Sequence, residues 1–298
     1  MPAPDASLPP AGAHGGDGLA VARALGLDPA DLLDLSQNMN PFAPPVEPLV
    51  RRHLDALGRY PDARDATGEL AEALGVPADR LLLTNGGSEA IHLVAAVLGG
   101  RVRSEPEFGL HPRGATGPLW RTDPHSPSGR LAGAEEVVDV WDEAFYALAT
   151  GRWTAGRDAV VVGSLTKTFH CPGLRLGYLI ADPEVIAACG AHQAHWSVST
   201  LALSVLPDLL AGADLPGWSR SIAGARRDLV GVLESHDLVV EAADAPWVLV
   251  HDPGLRRRLA PHGVLVRDCT SFGLPGVARM AVPDADGLAA VERALSRA

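Results

Sequence analysis

Residues 164–178 read Ser-Leu-Thr-Lys-Thr-Phe-His-Cys-Pro-Gly-Leu-Arg-Leu-Gly-Tyr, and this stretch decides how the chain is interpreted. Lys167 carries an amine, Ser164 lies three residues before it and Arg175 lies eight residues after it. An amine can bond covalently to a carbonyl carbon, and a hydroxyl and a guanidinium can together hold a phosphate. The stretch therefore brings a candidate nucleophile and two candidate anion-binding groups close together in the sequence.

Lys167 is also the single lysine of the chain. The 25 basic residues are 24 arginines and this one lysine. Arginine cannot replace lysine in covalent chemistry, because its guanidinium stays protonated and is a poor nucleophile. The exception at 167 therefore suggests a position that requires an amine, the alternative being that one lysine survived by chance.

The composition is typical of a soluble globular protein. The chain has 298 residues, of which 47% are hydrophobic and 20% charged, and its formal net charge is −11. This charge argues against nucleic acid or an anionic membrane as the main partner. Residues 1–18 lack the pattern of a signal peptide and predict a short flexible arm, so we expect a cytoplasmic protein. The three cysteines are far apart and show neither metal-ligand spacing nor a disulfide framework.

Apolar runs alternate with helical patterns through the middle of the chain. The run at 80–84 predicts a buried strand, and the runs at 136–141, 159–164 and 176–181 predict parallel strands that are buried on both faces. Helices are expected over 88–98, from 182 to 196, over 219–235 and over 285–297. The C-terminal third adds strands near 237–241, 247–251, 264–267 and 278–282. This order predicts a large α/β domain followed by a smaller domain.

The stretch 164–178, with its Pro-Gly-Leu-Arg-Leu-Gly segment, closely resembles the class I/II aminotransferase family of pyridoxal-phosphate enzymes. Within that family it is most similar to the threonine-phosphate decarboxylases, with the histidinol-phosphate aminotransferases as nearest relatives. The resemblance implies the α/β architecture called fold type I and pyridoxal 5'-phosphate as cofactor. It also implies a homodimer, an arm over 1–35 that joins the small domain, a large domain over 36–215 and a small α+β domain over 216–298.

The resemblance also implies which residues hold the cofactor. Lys167 would bond to it, with Ser164 and Arg175 on its phosphate. The turn of Gly86, Gly87 and Ser88 before a helix would add backbone amides, although Gly-Gly turns before helices are common. Asp142, in Trp-Asp-Glu-Ala, would face the ring nitrogen and share the catalytic role with Lys167. The alternative interpretation is that this aspartate only ends a strand and caps the next helix.

Two aromatic residues complete the implied cofactor site. Phe108 matches the family's aromatic residue that stacks on the cofactor ring, whereas an isolated phenylalanine is usually part of a core. Tyr60 matches the tyrosine that reaches the phosphate from the neighbouring subunit. The alternative interpretation is that it is a turn residue on the surface.

Five further residues are implied to contact the substrate. Asn38 and Asn40 lie in the family's Asn-x-Asn-Pro loop, which folds over the active site. Arg267 and Arg279 lie in a segment most similar to the decarboxylases and are candidates for gripping a phosphate and a carboxylate. His14, in His-Gly-Gly-Asp, resembles the decarboxylase arm in which a histidine approaches the substrate phosphate.

The chain departs from the family in several places. Ser126 stands where the family has an asparagine that hydrogen-bonds the ring oxygen, and Phe145 stands where many relatives have a tyrosine. The segments between Phe108 and Ser126 and between Gly129 and Asp142 are short, so several dozen residues of peripheral helices and edge strands should be missing. Isolated histidines at 111, 125 and 195 suggest no function.

These features favour decarboxylation of L-threonine O-3-phosphate to an aminopropanol phosphate, a step that supplies the side chain of cobalamin. One alternative is an aminotransferase acting on histidinol phosphate or a similar amino acid. A second, from another class, is a degenerate protein that binds pyridoxal phosphate or an amino-acid phosphate without turnover. The complete set of Ser164, Lys167, Arg175 and Asp142 argues against this second alternative.

Overall fold

The computed structural model describes residues 8–298, so the first seven residues of the predicted arm lie outside the described residues. Within that range, twelve strands form three sheets. The strands are β1 (Leu33–Asp34), β2 (Leu81–Asn85), β3 (Arg101–Val102), β4 (Leu119–Thr122), β5 (Val140–Asp142), β6 (Val160–Ser164), β7 (Leu176–Ile180), β8 (Val240–Ala242), β9 (Trp247–His251), β10 (Val264–Leu265), β11 (Arg267–Asp268) and β12 (Val277–Ala281). The α-helices are α1 (Gly18–Leu25), α2 (Glu47–Arg52), α3 (Arg64–Leu74), α4 (Gly87–Leu98), α5 (Tyr146–Thr150), α6 (Leu165–Thr168), α7 (Pro183–His192), α8 (Thr200–Ala211), α9 (Leu215–Ser235), α10 (Leu255–Leu259) and α11 (Ala285–Leu295).

The largest sheet has six strands in the order β2-β7-β6-β5-β4-β3. Strands β3 to β6 are parallel, and β7 is antiparallel to both β6 and β2. The carboxyl ends of β2, β4, β5 and β6 therefore lie at the same edge. Ligands of open α/β sheets bind at this edge, and here it carries Thr122, Asp142 and Ser164.

Two strand predictions need correction. The run at 176–181 forms a strand but not a parallel one, because only 165–175 separate β6 from its neighbour β7 and the chain must turn back. The strand predicted over 136–141 begins only at Val140. The residues before it leave the sheet, since Glu136 pairs with Arg121 and Arg103 and Val137 is exposed.

The expected shortening is visible in two connections of the large sheet. Parallel neighbours are usually linked through a crossover helix. Residues 103–118 join β3 to β4 and residues 123–139 join β4 to β5, and neither of these fully described segments contains a helix. The strand ends are nevertheless in register, with Thr122 opposite Asp142.

The C-terminal part forms a four-stranded antiparallel sheet in the order β11-β12-β9-β8. Its apolar face packs with α9 and α11, and the buried residues include Leu229, Leu233 and Val291. Near the other end of the chain, β1 pairs in parallel with β10. The N-terminal segment therefore contacts the C-terminal part at this strand pair, while the division into an arm over 1–35, a large domain over 36–215 and a small domain over 216–298 remains a prediction.

Candidate active site

A cavity of about 440 Å³ lies at the carboxyl edge of the large sheet. Most of the predicted site residues line it. They are His14, Gly87, Ser88, Phe108, Ser126, Asp142, Ser164, Lys167, Arg175, Arg267 and Arg279.

Lys167 lies in the short helix α6, directly after the strand that ends at Ser164. Its Nζ donates a hydrogen bond of 3.1 Å to the carbonyl oxygen of Gln37. Burial, followed by the positive charges of Arg279, Arg175 and Arg267, lowers the pKa of Lys167 to about 8. The side chain can therefore be a free amine near neutral pH, as a nucleophile must be.

The first helix turn after β2 forms an anion cradle. Gly86 has a φ of 76° and caps α4, which begins at Gly87. A β-carbon at Gly86 would overlap the guanidinium of Arg175, and one at Gly87 would touch the Ser164 side chain. The absence of side chains at 86 and 87 thus brings backbone amides, a hydroxyl and a guanidinium together, which suits a phosphate.

Asp142 is buried at the end of β5 and contacts a histidine that the sequence did not identify. His111 Nε2 lies 3.1 Å from Asp142 Oδ2, while Asp142 Oδ1 accepts from the backbone of Ala144 at 3.0 Å. Nδ1 of His111 is buried and has no partner within the described residues. An unpaired lone pair costs less there than an unpaired N–H. We therefore assign the hydrogen-bond donor to Nε2, which donates to Asp142 Oδ2.

Phe108 forms another wall of the cavity and lies between two histidine rings. Its ring centroid lies 5.8 Å from that of His14 and 5.6 Å from that of His111. The buried carboxylate of Glu107 accepts from the backbone nitrogen of Phe108 at 2.8 Å and from the hydroxyl of Thr122 at 2.6 Å. Glu107 thereby links the connection between β3 and β4, which contains no helix, to the last residue of β4.

Arg267 and Arg279 face each other across β11 and β12 and are both buried. Within residues 8–298, neither guanidinium forms an ion pair with a carboxylate. Burial and the charge of Arg267 lower the pKa of Arg279 to about 9, which is still above neutral pH. Burial also lowers the pKa of Arg267. The rings of Phe272 and Trp247 lie 4.3 Å from Arg267 and 5.0 Å from Arg279. The site therefore holds two guanidinium groups that no carboxylate among residues 8–298 pairs with.

The N-terminal arm contacts Arg267, one of these two arginines. The carbonyl of Ala13 accepts from Arg267 Nη2 at 2.8 Å, and Asp17 pairs with Arg256 at 2.7 Å. These two contacts place His14 at the cavity, where burial, followed by the charge of Arg267, lowers its pKa.

Some predicted residues lie outside the cavity lining. With its amide oxygen toward Arg279, Asn38 accepts from Nε at 3.1 Å and from Nη2 at 2.9 Å. Asn40 is fully buried, and its amide donates to the carbonyl of Thr168, so it supports the chain around Lys167 instead of facing the cavity. Tyr60 is 78% exposed and stacks on Trp196, away from the cavity. Its role in a neighbouring subunit remains a prediction.

Ser126 is buried at the cavity, and its hydroxyl accepts from Arg279 Nη1 at 3.4 Å. Phe145 packs edge-on against Trp247 and has no hydrogen-bonding group. The two departures from the family pattern are therefore both at the site.

A family model described as Aminotransferase class I and II matches residues 110–296, more than half of the chain. The chain belongs to the class I and II aminotransferase family. Two curated relatives represent different reactions. The histidinol-phosphate aminotransferase of Natronomonas pharaonis is 28% identical, covering 87% of this chain and 89% of the relative. The threonine-phosphate decarboxylase of Salmonella typhimurium is 30% identical, covering 89% of each chain.

The solved histidinol-phosphate aminotransferase of Clostridium acetobutylicum superposes with a TM-score of 0.77 at 22% identity, covering 89% of this chain and 98% of the other. This likeness shows the aminotransferase fold, which is fold type I. The alignments with the curated relatives extend over 317 and 331 positions, more than the 298 residues of this chain, so the relatives contain segments that are missing here.

Pyridoxal 5'-phosphate is the cofactor of this aminotransferase family, and the chain is a pyridoxal-phosphate enzyme. The residues present fit the cofactor. The cradle at Gly86, Gly87 and Arg175 suits its phosphate, Asp142 offers an anion for its ring nitrogen, and Lys167 offers an amine of lowered pKa. No helix among residues 8–298 has the length and apolar character to cross a membrane.

The sequence did not reveal His111, Glu107 or Gln37. A histidine in a loop carries no periodic signal, and a backbone carbonyl such as that of Gln37 is invisible in side-chain motifs. For His111 the one available hint was its position three residues after Phe108 in a shortened segment.

Proposed function

We propose that the protein decarboxylates L-threonine O-3-phosphate to (R)-1-amino-2-propanol phosphate, in the synthesis of the cobalamin side chain. The observation that carries this proposal is the pair of buried guanidiniums of Arg267 and Arg279, which have no carboxylate partner among the described residues. Burying charge without compensation is costly, so such a pair is expected where ligand anions complete the site.

The number of anions separates the amino substrates of the two relatives, whereas a keto acid such as 2-oxoglutarate also carries two anionic groups. Threonine phosphate carries a phosphate and a carboxylate, one for each guanidinium, whereas histidinol phosphate carries a phosphate and no carboxylate. Guanidinium forks bind both kinds of anion in two-pronged geometry. His14, placed beside Arg267 by the arm, adds a further donor on the same side.

The roles of the protein groups follow from their positions. Lys167 would hold the cofactor, with Arg175, Ser164, Ser88 and the amides of the cradle on its phosphate. When bound, the cofactor supplies an electron sink for the electron pair released at Cα.

Around the cofactor, side chains of the protein bind the substrate, orient it and move a proton. Arg279 and Arg267 hold the two anionic groups of the substrate and thereby orient the bond between Cα and the carboxylate carbon. That carbon leaves as carbon dioxide, its bonding electrons remain with Cα, and a proton takes its place. Lys167, with a pKa of about 8, can deliver this proton, and the hydrogen bond between His111 and Asp142 holds the Asp142 carboxylate in place.

A second candidate is an aminotransferase acting on histidinol phosphate or a similar amino acid. It is supported by the Natronomonas pharaonis relative, which aligns as completely as the decarboxylase does. In that reaction Cα would lose its proton and keep its carboxylate, and a keto acid would be needed to complete the cycle.

Product analysis separates the two candidates. The purified protein is loaded with pyridoxal phosphate and given threonine phosphate, with and without 2-oxoglutarate. We expect carbon dioxide and aminopropanol phosphate in both mixtures. Release of glutamate that requires 2-oxoglutarate would support the aminotransferase instead. No product from a loaded protein would favour the non-catalytic binder.

A further inference from the structure

Asp34 is the last residue of the short strand β1, beside the cavity. Its carboxylate accepts hydrogen bonds from Ser36 and Gln37, in the loop that directly follows the strand. Oδ1 accepts from the backbone nitrogen of Ser36 at 3.0 Å and from its hydroxyl at 2.5 Å, while Oδ2 accepts from Nε2 of Gln37 at 2.7 Å. Within residues 8–298, Asp34 forms no ion pair with an arginine or histidine. Three donors from two neighbouring residues therefore converge on one carboxylate.

The loop that this carboxylate shapes touches two groups of the site. The carbonyl of Gln37 accepts from Lys167 Nζ at 3.1 Å. The next residue, Asn38, has a φ of 54°, which is rare for a residue with a side chain, and it accepts from Arg279. A strained residue persists only when its surroundings hold it in place. The hydrogen bonds of Asp34 with Ser36 and Gln37 hold the two residues before Asn38 and thereby restrain its backbone.

The same loop fastens the arm. The hydroxyl of Ser36 donates to Asp34 and accepts from the backbone nitrogen of Gly16 at 2.8 Å. Gly15 and Gly18 pack so closely on this loop that a β-carbon at Gly15 would overlap the Ser36 carbonyl and one at Gly18 would lie 2.7 Å from Asp34 Oδ2. The arm that carries His14 therefore rests on the atoms that Asp34 orders.

We propose that Asp34 is the positioning residue of this site: it sets the Gln37 carbonyl against Lys167 and Asn38 against Arg279, and through Ser36 it anchors the arm. The proposal rests on the proposed function in taking Lys167 as the reacting lysine. Its test uses neither substrate nor cofactor, so failure of either proposal can be recognised separately.

The test uses the fact that Lys167 is the only lysine, so amine-reactive labelling mapped to 167 reports on this side chain alone. Asp34→Asn replaces an acceptor by a donor and frees Gln37. Lys167 then loses its acceptor and a nearby negative charge, and labelling at fixed pH should become about tenfold faster. Hydrogen exchange should also become about tenfold faster over 8–20, and should be unchanged over 285–295.

Two variants complete the experiment. Asp31→Asn makes the same change at an exposed aspartate three residues away and should leave labelling and exchange as in the wild type. Ser36→Ala removes the hydrogen bonds of the hydroxyl with Gly16 and with Asp34 Oδ1. It leaves the hydrogen bonds that Asp34 accepts from the Ser36 backbone nitrogen and from Gln37, so exchange should become faster in the arm while labelling of Lys167 stays unchanged. Wild-type labelling in a folded Asp34→Asn variant would overturn the proposal. If Asp34→Asn does not fold, wild-type exchange over 8–20 in Ser36→Ala would overturn it.

Discussion

The Nε2 atom of His111 lies 3.1 Å from the Oδ2 atom of Asp142; both side chains are buried, and Asp142 lines the cavity. A hydrogen bond to a charged group contributes about 1.5–3 kcal/mol. His111→Leu keeps the bulk and removes the donor, so the affinity for pyridoxal phosphate should fall by about tenfold or more. His111→Gln offers another donor and should recover part of the loss. The measurement is equilibrium titration of the apoprotein, with exposed His192→Leu as control; unchanged affinity in His111→Leu would show that the contact does not support Asp142.

Attachment of the cofactor should depend on pH with a midpoint near 8. The pKa of Lys167 is lowered to about 8, chiefly by burial, and only the deprotonated amine can attack the aldehyde. The rate at which apoprotein acquires the visible absorbance should therefore rise with pH and level off above about pH 8. A rate that keeps rising toward pH 10 would indicate an ordinary, solvated lysine.

Removing the buried charge of Arg279 should make the protein more stable and less active. Arg279→Met deletes a desolvated cation that has no carboxylate partner in the described range 8–298, so the free energy of unfolding of the apoprotein should rise by about 1 kcal/mol. The same variant loses a partner for a substrate anion, and kcat/KM on threonine phosphate should fall at least about a hundredfold. Chemical denaturation and steady-state assays give the two values, with exposed Arg257→Met as control. A destabilised variant with full activity would contradict this assignment.

Arg157 bridges the ends of β4 and β5, where no crossover helix is present among the described residues. Its guanidinium pairs with Asp123 and, at 2.5 Å, with Glu143, and lies 3.8 Å from the ring of Trp141. Arg157→Met leaves two buried carboxylates without a cation, so the protein should lose about 3 kcal/mol of stability at pH 8.

This loss should be smaller at pH 5. Burial raises the pKa of Glu143, and a carboxyl whose pKa is raised on folding favours the folded state at low pH and loses that contribution as the pH rises. Thermal unfolding at both pH values tests this, with exposed Arg152→Met as control. Equal losses at pH 5 and pH 8 would mean that Glu143 does not take up a proton.

Much of the fold and of the site could be predicted from patterns along the chain. The run Val160–Ser164 is apolar and β-branched, and the Gly86–Gly87 turn precedes a long helical pattern, so strand, turn and helix were predictable. The direction of β7 was not, because strand direction depends on which neighbours pair across the sheet. The roles of His111, Glu107 and Asp34 depend on contacts between distant segments or on loop geometry, and such contacts leave no periodic trace in the sequence.

Lys167 should bond covalently to pyridoxal phosphate, and borohydride reduction followed by peptide mapping shows which residue carries the cofactor. The loaded protein should be yellow, reduction should bleach the colour, and the fixed cofactor should map to residue 167. Lys167→Ala, which leaves the chain without any lysine, should show neither the colour nor a side-chain adduct. A yellow, reducible adduct that persists in Lys167→Ala would contradict the account.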